Sequence, residues 1–85
     1  MKAIEALAAG RAAIEAIIGK PPEHNTRCAA TEAGWELQFE TLETRGRLSD
    51  NDIFASYVLK LDAQGDLVAY ERTRRYARVG STLAA

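Results

Sequence analysis

The chain has 85 residues, 47% hydrophobic and 27% charged, with a formal net charge of −1. That balance is ordinary for a globular fold and argues against the disordered and membrane classes, while the length allows one core that buries roughly 60–65% of the surface exposed by the unfolded chain. A single cysteine, Cys28, rules out an internal disulfide, and Glu5, Arg11 and Glu15 interrupt the alanine-rich opening well short of the ~20 apolar residues of a membrane span, so neither a span nor a signal peptide is expected and the cytoplasm is the expected location.

Ile4, Leu7, Ala8, Ile14, Ile17 and Ile18 recur near helical spacing and predict an amphipathic helix over residues 3–18, with Glu5, Arg11 and Glu15 on its other side. Alanine supplies helix propensity, and Gly19 followed by Pro21 and Pro22 supplies the stop. Residues 26–30 read as a short strand, and Glu32, Ala33 and Gly34 as the turn after it. Trp35, Leu37 and Phe39 then alternate with Glu36, Gln38 and Glu40, the period of a half-buried strand. Leu42 breaks the phase, so this strand either ends near Glu40 or is reset by a bulge.

Residues 44–52 gather Gly46, Ser49, Asp50, Asn51 and Asp52, turn formers whose short polar side chains bond locally, and predict a loop. Over residues 53–62 a strand presents Ala55, Tyr57, Leu59 and Leu61 on one face and Phe54, Ser56, Val58 and Lys60 on the other. Asp62, Ala63, Gln64 and Gly65 fit a hairpin turn with glycine in the left-handed position. A last strand returns over residues 67–76, and its two faces do not separate by pattern. The expected architecture is α+β, one N-terminal helix packed on a three- to four-stranded antiparallel β-meander. It forms a single domain over residues 1–79, followed by a flexible C-terminal tail at 80–85. Leu7, Ile14, Ile18, Trp35, Leu37, Phe39, Tyr57, Leu59 and Leu61 are the expected core.

Catalytic and metal chemistry find little support. His24 and Cys28 are four apart, but Pro21, Pro22 and Asn25 argue against a helix there, and a structural zinc site usually needs four such ligands. Ser56 and Lys60 lie roughly 13 Å apart on a strand, too far for a nucleophile and its base. Asp50, Asp52, Asp62 and Asp66 lack the twelve-residue calcium-loop pattern and suit turns and caps instead. No glycine-rich phosphate loop is present. We expect no enzyme, cofactor or metal.

The charge is uneven along the chain: residues 1–70 hold seven Lys/Arg against eleven Asp/Glu, whereas from Glu71 onward four arginines face one glutamate. Arg72, Arg74, Arg75 and Arg78, with Tyr70 and Tyr76 among them, have the chemistry to bind phosphate and stack on bases, to dock on an acidic protein surface, or simply to keep an edge strand soluble. Because the rest of the chain repels a polyanion, a protein partner is favoured over nucleic acid. Arg72, Arg74, Arg75, Tyr76 and Arg78 are the candidate protein-binding residues.

From Arg45 to Arg78 the order is an arginine, a short acidic loop, Ala-Ser-Tyr, Leu-Asp-x-x-Gly-x-Leu, Tyr-x-Arg and Arg-Tyr-x-Arg, preceded by Gly34 and Trp35 opening a strand. This order resembles the gas vesicle protein O family, small accessory proteins of gas vesicle formation. The chain departs from it at Ser49, where members often carry proline, and many members have a longer charged N-terminal extension. The resemblance implies a non-enzymatic assembly role with other gas vesicle proteins as partners. From the composition no membrane contact is expected, and whether the chain forms a homo-oligomer through an edge strand or stays associated with the gas vesicle is left open by the sequence. The rival reading is a PepSY-like ligand- or peptide-binding module, which also sets a helix against an antiparallel hairpin.

Overall fold

The computed structural model describes residues 1–46 and 52–77. Helix α1 spans Ala3–Ile18, and four strands follow: β1 (His24–Ala30), β2 (Gly34–Thr44), β3 (Ile53–Asp62) and β4 (Leu67–Ala77). They form one antiparallel sheet in the order β1-β2-β3-β4. This is the expected α+β helix-on-meander. The loop expected at 44–52 is described in part, and the tail expected at 80–85 lies outside the described residues. Among the described residues no helix is long and apolar enough to cross a membrane.

The helix starts where the Lys2 backbone N–H donates to Glu5 Oε1 at 2.7 Å, satisfying a donor the first turn leaves open. It stops at Gly19, whose left-handed backbone (φ 78°) lets its N–H reach the Glu15 carbonyl at 2.8 Å. Its buried stripe is Ala6, Gly10 and Ile14, four residues apart and therefore on one face. Ile4, expected in that stripe, is 75% exposed, and Ala8 is exposed too. The helix turns the small residues Ala6 and Gly10 inward because it crosses the sheet closely there: a Cβ on Gly10 would stand 2.9 Å from Leu37 Cδ2 and 3.3 Å from Phe39 Cε2.

Under the helix lie Ile14, Leu37, Phe39, Leu59 and Leu61, with Leu7, Ile17, Ile18, Cys28, Trp35 and Tyr57 packed around them. Cross-strand register aligns this layer, Leu37 opposite Leu59 and Phe39 opposite Tyr57. The β2–β3 pairing holds from Gly34 to Thr44: Leu42 keeps the register, opposite Phe54 on the face away from the helix, and the bulge follows it, leaving Glu43 as the extra residue. Further shifts leave Thr26 extra in β1, and Val68 and Thr73 extra in β4. Two resets within one strand are why the faces of β4 do not separate in sequence. The β3–β4 turn is closed by Asp62, whose Oδ1 accepts the N–H groups of Gln64 and Asp66 at 2.9 Å each. Gly65 sits at φ 90°.

Candidate functional site

Strand β4 forms one edge of the sheet, and residues 67–75 are exposed. The register divides the candidate residues between the two faces. Arg74 pairs with Ser56 and Tyr76 with Phe54, on the helix-free face, whereas Arg72 pairs with Tyr57 and Arg75 with Ala55, on the helix side. Arg78 lies outside the described residues.

On the helix-free face, Glu40 occupies the centre of a polar network and is 5% exposed. Its Oε1 accepts from the Ser56 hydroxyl at 2.5 Å and the Tyr76 phenol at 2.6 Å. Its Oε2 accepts from Gln38 Nε2 at 3.1 Å and the Thr26 hydroxyl at 3.3 Å. Arg74 Nε donates to Ser56 Oγ at 3.2 Å, and its guanidinium lies 4.7 Å from the Tyr76 ring centroid, close enough for a cation–π contact. Phe54 stacks on the Tyr76 ring, with ring centroids 5.7 Å apart.

Burial works to raise the pKa of Glu40, but the hydrogen bonds from Ser56, Tyr76, Gln38 and Thr26 outweigh it and hold the carboxyl below its usual range. Burial and the bond to Glu40 push the Tyr76 phenol up to about 12. A carboxylate bonded to a serine hydroxyl beside an arginine has the ingredients of nucleophile activation. Here Ser56 is fully buried and Glu40 has each oxygen bonded twice, so no substrate atom could approach. The network fastens β4 to β2 across β3; it is a clamp.

On the helix side, Glu43 draws two arginines together. Arg72 Nη1 meets Oε2 at 2.9 Å and Arg75 Nε meets Oε1 at 2.6 Å, while the arginine side chains remain 48% and 52% exposed. Next to them a cleft of about 210 Å³ opens between the end of α1 and the sheet, lined by Ile17, Ile18, Lys20, Thr41, Glu43 and Tyr57.

Bulges supply much of this arrangement. Thr26 reaches Glu40, Glu43 reaches the arginines, and Thr73 donates its hydroxyl to the Ser56 carbonyl at 3.3 Å. Sequence reasoning missed Glu40 and Glu43, and weighed Ser56 only as a nucleophile with Lys60. By alternation Glu40 is an outward strand residue, and its signal, a small hydroxyl opposite it and an Arg-x-Tyr one strand further, requires the register to be known. His24 and Cys28 both lie on β1, His24 exposed and Cys28 packed against the core. Among the described residues no group of three or more His, Cys, Asp or Glu is placed to hold a metal ion.

The family model described as gas vesicle synthesis protein GvpO matches residues 1–82. The chain is also 39% identical over 62 residues to gas vesicle protein O of Streptomyces sp. (strain CB03234), a match covering 73% of this chain and 48% of that one. The chain therefore spans about half the length of that curated relative. No solved structure matches.

Proposed function

The chain belongs to the gas vesicle synthesis protein GvpO family, and on that premise we propose that it is a non-enzymatic accessory protein of gas vesicle formation that works in the cytoplasm through protein contacts made by its basic last strand. Family membership carries the assembly role. The arginine-bearing edge strand supports the mechanism: among the described residues no other strand pairs with the outer side of β4, and Arg72 and Arg75 keep about half of their side-chain surface in solvent while already holding a carboxylate. Arginine in such a setting offers planar, bidentate recognition of further carboxylates, and it is enriched at interface hot spots.

The division of β4 between faces sharpens the proposal. Arg74 and Tyr76 are engaged in the Glu40 clamp, so the contact surface is the Arg72 and Arg75 side, and the clamp serves to hold that edge in place. Arg78 extends the same basic segment in sequence. Affinity capture with the tagged full chain from a vesicle-forming host tests this: other gas vesicle proteins should co-purify with the parent and be lost with Arg72→Gln/Arg75→Gln. Equal recovery with both forms would overturn it.

A further inference from the structure

The cleft at the end of α1 joins an apolar floor to a basic rim. Its floor is Ile17, Ile18 and Tyr57, all half-buried members of the layer around the core. Its rim carries Lys20 and Glu43, and Glu43 holds Arg72 and Arg75. Three cations against one carboxylate leave the rim positive, although the chain as a whole is negative. At about 210 Å³ the cleft falls below the roughly 300–1,000 Å³ of sites for drug-sized ligands, so its size suits a single large apolar side chain.

Resting on the reading that the basic strand makes protein contacts, we infer that this cleft is the anchor point of that contact: it takes one large apolar side chain from an acidic segment of a partner protein, whose neighbouring carboxylates bind Lys20, Arg72 and Arg75. The chain displays the chemistry on itself. Glu43 shows that the two guanidinium groups each bind a different oxygen of one carboxylate, and about half of each arginine side chain remains in solvent, where it can bind a second. An apolar anchor surrounded by charge-assisted bonds is the usual energetic division of a small interface, with the buried side chain giving affinity and the charged rim giving orientation and rate.

A phage-displayed random dodecapeptide library panned against the intact protein supplies the test. The expected result is enrichment of peptides with acidic residues flanking one large apolar residue. Synthetic copies should bind more weakly as salt rises, lose binding when the apolar residue becomes alanine, and bind Lys20→Glu at least tenfold more weakly than the parent. Lys60→Glu should bind them unchanged, since Lys60 lies on the helix-free face opposite Glu36 and Ala69. No enrichment, enriched peptides without acidic residues, or equal binding by Lys20→Glu would overturn the inference. So would a dimer of the protein alone that Lys20→Glu disperses, because a second copy would then be the occupant. Vesicle formation separates this from the broader reading. If Arg72→Gln/Arg75→Gln abolishes vesicles while Lys20→Glu leaves both vesicles and peptide binding intact, the strand contact stands and the cleft falls. If Arg72→Gln/Arg75→Gln forms vesicles normally, the strand contact itself falls.

Discussion

The phenol of Tyr76 donates to Glu40 Oε1 at 2.6 Å, reaching from the last strand of the sheet to the second across the strand between them. A hydrogen bond to a charged, buried acceptor contributes about 1.5–3 kcal/mol. Tyr76→Phe keeps the ring stacked on Phe54 and removes that one bond. We predict a loss of about that size in urea unfolding; a midpoint equal to the parent's would show that the clamp does not hold β4.

Removing the acceptor should cost more than removing one donor. Glu40→Ala leaves the Ser56 and Tyr76 hydroxyls without their shared oxygen, and Ser56 is fully buried, so the desolvation penalty of unpaired donors is added to the lost bonds. Thermal unfolding of Glu40→Ala at a lower temperature than Tyr76→Phe is the expected order. The reverse order would show that the Tyr76 hydroxyl depends on a partner other than Glu40.

The same pair sets opposite ends of the pH profile. Glu40 has its folded pKa depressed from 4.5, so its contribution is present above the unfolded value and is lost as pH falls through the folded one. Tyr76 has its folded pKa raised from 10.0 to about 12, so its contribution is full below pH 10 and is lost as pH rises towards 12. Glu40→Gln should flatten the acid side and Tyr76→Phe the alkaline side of stability measured against pH. An alkaline titration followed by phenolate absorbance should show a late component that Tyr76→Phe removes.

Phe39 is fully buried beneath α1, beside the site where Gly10 brings the helix close to the sheet. Phe39→Ala should cost about 3–5 kcal/mol, and Gly10→Leu should destabilise by about 1–3 kcal/mol or more through overpacking against Leu37 and Phe39. Chemical unfolding checks both. A Gly10→Leu protein as stable as the parent would mean that the helix can ride higher on the sheet than its packing indicates.

Much of the fold was legible because the helix and β3 each obey one period. Residues 3–18 and 53–62 were read with the bounds they have, and Leu37, Phe39, Leu59 and Leu61 follow from alternation. Helical spacing places Ile4 on the buried face, but hydrophobicity alone does not register a close crossing, which favours Ala6 and Gly10 inside. The site was less legible. Arg72, Arg74, Arg75 and Tyr76 were singled out by composition, but the bulge at Thr73 sends Arg72 and Arg74 to opposite faces, and spacing by two would have put them together. Glu40 and Glu43, the carboxylates that organise both sides, are distant in sequence from the residues they bind and look like ordinary strand polar positions.

We propose that the Arg72 and Arg75 side of β4 makes the contact that vesicle formation needs. Exposed ion pairs such as theirs with Glu43 contribute about 0–1 kcal/mol each, so Arg72→Gln/Arg75→Gln should fold and melt close to the parent. The decisive measurement is vesicle formation, counted by electron microscopy, in a host whose own copy is deleted and replaced by this variant. We predict full-length, folded protein and few or no vesicles; vesicles in parental number would show that this side of β4 makes no contact the process needs.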